Sequence, residues 1–351
     1  MNARAAEFHA HHPVCDMLGL NLTHPRFCVA DVDLGRRDDS SCRGDFPKFG
    51  DWGLNLVVCK GGSAHYDDNY KALWPSQLEY RSGREPLEEM FLSLAIKNTT
   101  QLCLAVLDRF LVNVEENLDK VVLVRRRGDI EKAVSQRKIA VLMAANRSDW
   151  FGDSPGVLRM FARTGLRMIT IGQSTRELGW DASGETRSGG RMTELGVRMI
   201  AELNLNGILI DLAHSNDPCA LDVIEISERP VVDSHSNPRA LEPGPRSIPD
   251  EIMRALSQSG GVLGITPPIS RPPGETLYKG VDAKEIKTTL QYLDYAIEMM
   301  GIDHVGIGTH FNSAALPWMT EILLDAGYPE ADAARILGGN FLRVLDQVLP
   351  D

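Results

Sequence analysis

The amino-acid sequence predicts an α/β protein, a single (β/α)8 TIM barrel spanning residues 1–351. From residue 139 onward, short apolar runs alternate with amphipathic segments, the pattern of repeated strand–helix units around a parallel sheet. Histidines stand just beyond several of those runs, at the strand ends where such a barrel gathers its functional groups. The length of 351 residues also fits, since these barrels run from about 200 to more than 400 residues with insertions.

In chain order, Pro13–Leu18 and Leu54–Cys59 are the first strand candidates, and Glu88–Val112 reads as one long helix. Ile139–Ala144, Met168–Ile171, Gly207–Leu212, Pro230–Asp233, Gly261–Thr266 and His304–Gly308 follow, continuously apolar as buried parallel strands should be. Helical spacing fills the intervals at Ser154–Arg163, Thr193–Leu203, Pro218–Ser227, Pro249–Gln258, Ile286–Met300 and Glu330–Leu349. The strands number eight. Val121–Arg125 is an extra apolar run, so counting alone leaves an open doubly wound sheet as an alternative. Asp31–Asp51 and Arg271–Gly280, the latter with Pro-Pro-Gly, read as loops over one mouth of the barrel.

A formal net charge of −11 without a basic stripe argues against a nucleic-acid partner. The six cysteines are scattered with no CxxC pair, the usage of free thiols in a reducing compartment. Neither a signal peptide nor an apolar stretch of about 18 residues is present, so the expectation is a cytoplasmic protein that does not enter membranes.

Four residues meet the strand-end criterion: Asp16, His214, His235 and His310. His214 and His235 stand 21 residues apart, one helix and one strand, so neighbouring strands would bring both rings to one mouth, where two imidazoles can bind a transition metal. A lone strand-end histidine is more often a hydrogen-bonded structural residue, but three of them shift the balance toward a site. His304 opens its strand and takes no role, while His9, His11 and His12 read as a solvated arm. No P-loop, GxGxxG or GxSxG element is present, and Cys15 reads as a buried inert thiol rather than a nucleophile.

The segments IDLAHSND at 210–217 and PVVDSHSNPRAL at 230–241 resemble the paired histidine motifs of the renal (membrane) dipeptidase family. The likeness extends through RKIAVLM at 137–143, VLRMFARTGLRMIT at 157–170, MTELGVRMIAELN at 192–204, SQSGGVLGIT at 257–266, MGIDHVGIG at 300–308 and ILGGNFLRVL at 336–345. It implies the barrel fold, and a mechanism in which two zinc ions share a hydroxide and polarise a dipeptide carbonyl. It also implies that Arg246 contacts substrate.

The departures fall on the metal site. The family's His-x-Asp pair is here Val14-Cys15-Asp16, its bridging glutamate at the end of the third barrel strand falls on Asn146, its Gly-x-Asp is Gly308-Thr309-His310, and its histidine after the fourth strand is Gln173. The expectation is therefore one zinc or related ion held by His214, His235, His310 and Asp16, with Asp16 and His310 catalytic and Arg246, Gln173 and Asn146 binding substrate. The leading function is a dipeptidase-like hydrolase of a small peptide or amino-acid-derived amide. The alternatives are a biosynthetic enzyme using metal-free acid–base chemistry and a non-hydrolytic binding protein. Trp180-Asp181 and Arg187–Arg191 read as a solvated loop, Tyr66, Tyr70 and Trp74 as pocket or packing residues, and a homodimer is left open.

Overall fold

A computed structural model describes residues 2–22, 33–37, 44–62, 99–172, 176–187, 189–268 and 282–351. Gln173, Tyr66, Tyr70, Trp74 and Arg271–Gly280 lie outside the described residues. The described strands are β1 Cys15–Asn21, β2 Leu56–Gly62, β3 Val121–Leu123, β4 Ile139–Asn146, β5 Leu166–Thr170, β6 Leu209–Asp211, β7 Val232–Ser236, β8 Val262–Ile265 and β9 Val305–Ile307. They pair in the order β1-β2-β4-β5-β6-β7-β8-β9, every pair parallel. The extra apolar run at Val121 is β3, a short strand that pairs only with the start of β4 and lies off the eight-strand path. At the seam, β9 meets β1 through the Phe311 N–H to Leu18 C=O hydrogen bond (2.8 Å) and through the Asp16 side chain.

The two faces of each strand are distinct. Val57, Cys59, Val141, Met143, Ile169, Ile210 and Leu263 pack with the surrounding helices, whereas Leu56, Val58, Ala140, Leu142, Ala144, Met168, Leu209, Val232 and Val262 pack in the interior. With a two-residue period, the next interior positions toward the C-terminal ends are Lys60, Asn146, Thr170, Asp211 and Ser234, a polar layer above an apolar one.

Helices occupy the intervals where the spacing placed them, and in four of them a side chain caps the first turn. Ser154, Thr193 and Asn216 accept from the N–H three residues on, and Asp282 forms a reciprocal capping box with Glu285. The expected helix Glu330–Leu349 is one helical run from Glu330 to Val348, with a π-helical turn at Arg335–Gly339. That turn passes close to β1, since a Cβ on Gly338 would meet the Pro13 carbonyl oxygen at 2.4 Å.

Several expectations are corrected. Residues 46–51 of the expected loop form a short helix capped by Asp45. Two helices, Ala3–His11 and Leu316–Asp325, were not anticipated. They explain why His9 is no part of a solvated arm: it is buried, with Nδ1 3.0 Å from the Trp52 carbonyl and Nε2 2.8 Å from Thr320 Oγ1. Trp180 and Asp181 are likewise buried, the indole donating to Glu177 and the carboxylate paired with Arg176. Among the described residues no helix is long and apolar enough to cross a membrane.

Candidate metal and active site

Short strands ending in tight backbone turns present the histidines. His214 follows β6 with φ of +75°, and His310 follows β9 with φ of +53°, both in the left-handed region that non-glycine residues rarely occupy. Such strain, on the order of 1–3 kcal/mol per residue, is typically kept where a side chain must be aimed. His235 lies within β7 and is buried. The result is a histidine cluster at one mouth: Nε2 of His214 and Nε2 of His235 stand 3.1 Å apart, and the His310 ring lies over that of His235 at 5.3 Å with an interplanar angle of 30°.

Hydrogen bonds below the cluster fix its chemistry. Ser234 Oγ donates to Asp211 Oδ2 at 2.7 Å and lies 2.6 Å from His235 Nδ1. A hydroxyl has one proton to give, so His235 donates from Nδ1 and its Nε2 carries a lone pair facing His214. Burial first, then the positive charges of Lys60 and Arg246, hold His235 well below the usual imidazole range. His310 retains exposed surface, yet desolvation by its surroundings, with Arg246 and Lys60, lowers it to about 4. Both rings are neutral at neutral pH, the form that binds metals.

Two ligands about 2.0–2.1 Å from a common ion in tetrahedral geometry would be roughly 3.3 Å apart. The His214/His235 pair fits that requirement. Among the described residues, however, no three His, Cys, Asp or Glu side chains form a group able to hold an ion. The His310 ring lies beside that of His235, tilted at 30° with centroids 5.3 Å apart.

Asp16 departs from the expected ligand set. Its neighbour across the ladder is Val57 on the helix-facing side, while Cys15 pairs with Leu56 on the interior side. Oδ1 accepts from the N–H groups of Leu18 (3.0 Å) and Thr309 (3.1 Å), and Oδ2 from the hydroxyls of Thr309 and Ser313 (both 2.6 Å). Four hydrogen bonds thus engage the Asp16 carboxylate at the seam between β1 and β9. Asp16 instead ties down the residue before His310.

Arg246 donates from Nη1 to Ser236 Oγ (2.8 Å) and from Nη2 to the His235 carbonyl (2.7 Å), so its fork is fixed beside the cluster. Asn146 ends β4, half-buried, opposite Thr170 of β5 and Gly62 of β2. Cys15 is buried, and burial raises its thiol pKa, as an inert thiol requires. Lys60, Asp211, Ser234 and Thr170 were missed as site residues. A lysine closing the apolar run LVVC was the available signal, because lysines are almost never fully buried unless paired.

The family described as Membrane dipeptidase (Peptidase family M19) matches residues 71–349. Relatives include Dipeptidase verJ of Clonostachys rogersoniana, 27% identical over 247 residues, which are 67% of this chain and 62% of that protein. Dipeptidase aclJ of Aspergillus oryzae is 29% identical over 227 residues, 61% of this chain and 53% of that protein. The chain thus spans between 53% and 62% of the length of these curated relatives. Among solved structures, the probable dipeptidase PvdM from Pseudomonas aeruginosa superposes with a TM-score of 0.77 at 21% identity, covering 98% of this chain and 97% of that one. A metallo peptidase from Rhodobacter sphaeroides, solved with a phosphinate mimic of the dipeptide L-Ala-D-Ala, gives 0.77 at 21% identity, covering 96% and 99%. These likenesses show the barrel fold, and the match over 71–349 shows that the chain belongs to the membrane dipeptidase family.

Proposed function

We infer that this protein is a dipeptidase-like hydrolase of a small peptide or amino-acid-derived amide, working with one divalent ion, zinc or a related metal. The observation that carries the reading is the pair of Nε2 atoms of His214 and His235, 3.1 Å apart at one mouth. His214 and His235 would hold the ion, with His310, whose ring centroid is 5.3 Å from that of His235, completing the set. A bound ion would polarise the scissile carbonyl and acidify water. Arg246, whose remaining N–H groups have no partner among the described residues, offers a bidentate clamp for a substrate carboxylate. His310, at the mouth beside His235, is the residue we assign to proton transfer, and Asn146 and Gln173 those that orient the substrate. Asp16 contributes by holding Thr309, and hence His310, in place.

The test is elemental analysis with a dipeptide panel. One ion per chain is expected in the wild type and none in His214→Ala or His235→Ala, with slow turnover of ordinary dipeptides because Asn146 cannot bridge two cations. Two ions and fast dipeptide turnover would overturn this reading. A second reading, metal-free acid–base chemistry or binding alone, is favoured by the lack of a three-donor group among the described residues. Its signature is activity, or ligand binding, that survives exhaustive chelation. The four described cysteines, free and buried, accord with a reducing compartment such as the cytoplasm.

A further inference from the structure

Lys60 is 2% exposed in the polar layer of the barrel interior, where β2 otherwise offers Leu56 and Val58. Its Nζ lies 3.2 Å from Asp211 Oδ2, on a strand that does not neighbour β2 in the sheet, so the pair spans the lumen. Enclosing an ammonium this deeply costs several kcal/mol before any partner is counted. Apolar packing would fill the position more cheaply.

Asp211, fully buried, accepts from Lys60, from the Thr170 hydroxyl (2.5 Å), from the Ser234 hydroxyl (2.7 Å) and from the N–H groups of Ser234 (2.8 Å) and Ala213 (3.1 Å). Five donors converge on two oxygens, a set that suits only an acceptor-only carboxylate. Three of those donors are neutral hydrogen-bonding groups of other strands, and only Lys60 brings a compensating charge. Ser234 is the one member that also touches a histidine, through the 2.6 Å contact with His235 Nδ1.

We propose that Lys60 is a positioning residue for His235: its ammonium holds Asp211 as an acceptor-only carboxylate, Asp211 takes the Ser234 proton, and Ser234 then accepts from His235 Nδ1, leaving Nε2 unprotonated. Without the cation, the hydrogen-bond direction at Ser234 is free to reverse. Its hydroxyl would then donate to Nδ1, and the ring proton would sit on Nε2, the atom that faces His214. Lys60 acts at a distance of two hydrogen-bonded residues and touches no substrate.

The direct readout is the His235 tautomer in metal-free, 15N-labelled protein, from long-range proton–nitrogen correlations assigned with His235→Ala. Wild type is expected to show the Nδ1–H form. Lys60→Met and Lys60→Gln, the second keeping a donor for Asp211 without a charge, should show the Nε2–H form or a mixture. Ser234→Ala should also lose the pure Nδ1–H pattern. In a zinc titration the Lys60 variants should bind roughly 10–100-fold more weakly, the usual effect of disturbing a ligand's supporting hydrogen bonds. The zinc arm rests on the metal reading above, but the tautomer arm does not. A wild type that binds no zinc would sink the metal reading while leaving the tautomer result to stand. If Lys60→Met fails to fold, Lys60→Gln decides. A wild-type His235 pattern in every folded Lys60 variant would overturn the proposal.

Discussion

At the scale of single residues, Asp16 shows how the same residue type can serve a site from opposite sides of a strand. Its four hydrogen bonds to Leu18, Thr309 and Ser313 hold the seam between β1 and β9, directly before His310. Asp16→Ala would strand two buried hydroxyls and two N–H groups, and each unmet group costs about 1–3 kcal/mol unless it finds a new partner. We expect a loss of about 2–4 kcal/mol in urea denaturation, with zinc stoichiometry unchanged in the folded protein. Loss of zinc at unchanged stability would return Asp16 to the ligand set. The strand-end position of Asp16 was legible in the sequence, but the face it occupies was not. That face follows from the pairing of Asp16 with Val57, a contact between residues 41 positions apart.

At the scale of elements, β7 is approached closely by one glycine of β8 and one just beyond β9. A Cβ on Gly308 would meet the Ser234 carbonyl oxygen at 1.8 Å, and one on Gly264 would meet it at 2.2 Å. Neither glycine has a left-handed backbone, so close approach rather than backbone freedom explains both. Gly308→Ala should therefore push the Ser234–His235 segment outward. The expected outcome is a destabilisation of about 3 kcal/mol or more, at the upper end for overpacking, together with weaker zinc binding. Differential scanning calorimetry and a zinc titration check the two effects, and a variant that melts like wild type would show that β7 can give way freely. Glycines inside the runs VLGIT and HVGIG were visible in the sequence as breaks in apolar strands. That both admit the Ser234 carbonyl of β7 became visible only in the folded barrel.

For the whole molecule, the closed barrel sets the electrostatics of its mouth. Lys60 from one side and Arg246 from the other share the enclosed space with His235 and His310, and add to burial in disfavouring imidazolium. Protons compete with a metal only below the folded-state pKa. With His310 at about 4 and His235 well below the ordinary 6.5, protonation of these two rings should weaken zinc binding only below about pH 5. A midpoint between pH 6 and 7 for the His235 or His310 ring, followed by NMR titration of the metal-free protein, would contradict this. The stability of the metal-free protein obeys a different sign. These histidines bind protons more readily unfolded, so their contribution is present above pH 6.5 and lost as pH falls toward 4. Asp233, raised by burial to about 6, opposes them, its contribution being lost as pH rises through 6.

The sequence by itself determined the order of the strands, most of the helices between them, and the histidines at the ends of β6, β7 and β9. Those are local properties: a two-residue or 3.6-residue period, a capping side chain and a residue type just beyond an apolar run are readable within a short window. The tertiary structure alone decided that His9 is buried against Thr320, that Asp16 turns to Thr309 rather than to the histidines, and that Lys60 reaches Asp211. Lys60 and Asp211 are 151 residues apart and lie on strands that share no ladder. Their pairing exists because closing a parallel sheet brings the inward side chains of non-adjacent strands into one small, water-poor volume, where each buried polar group must find its partner across the lumen.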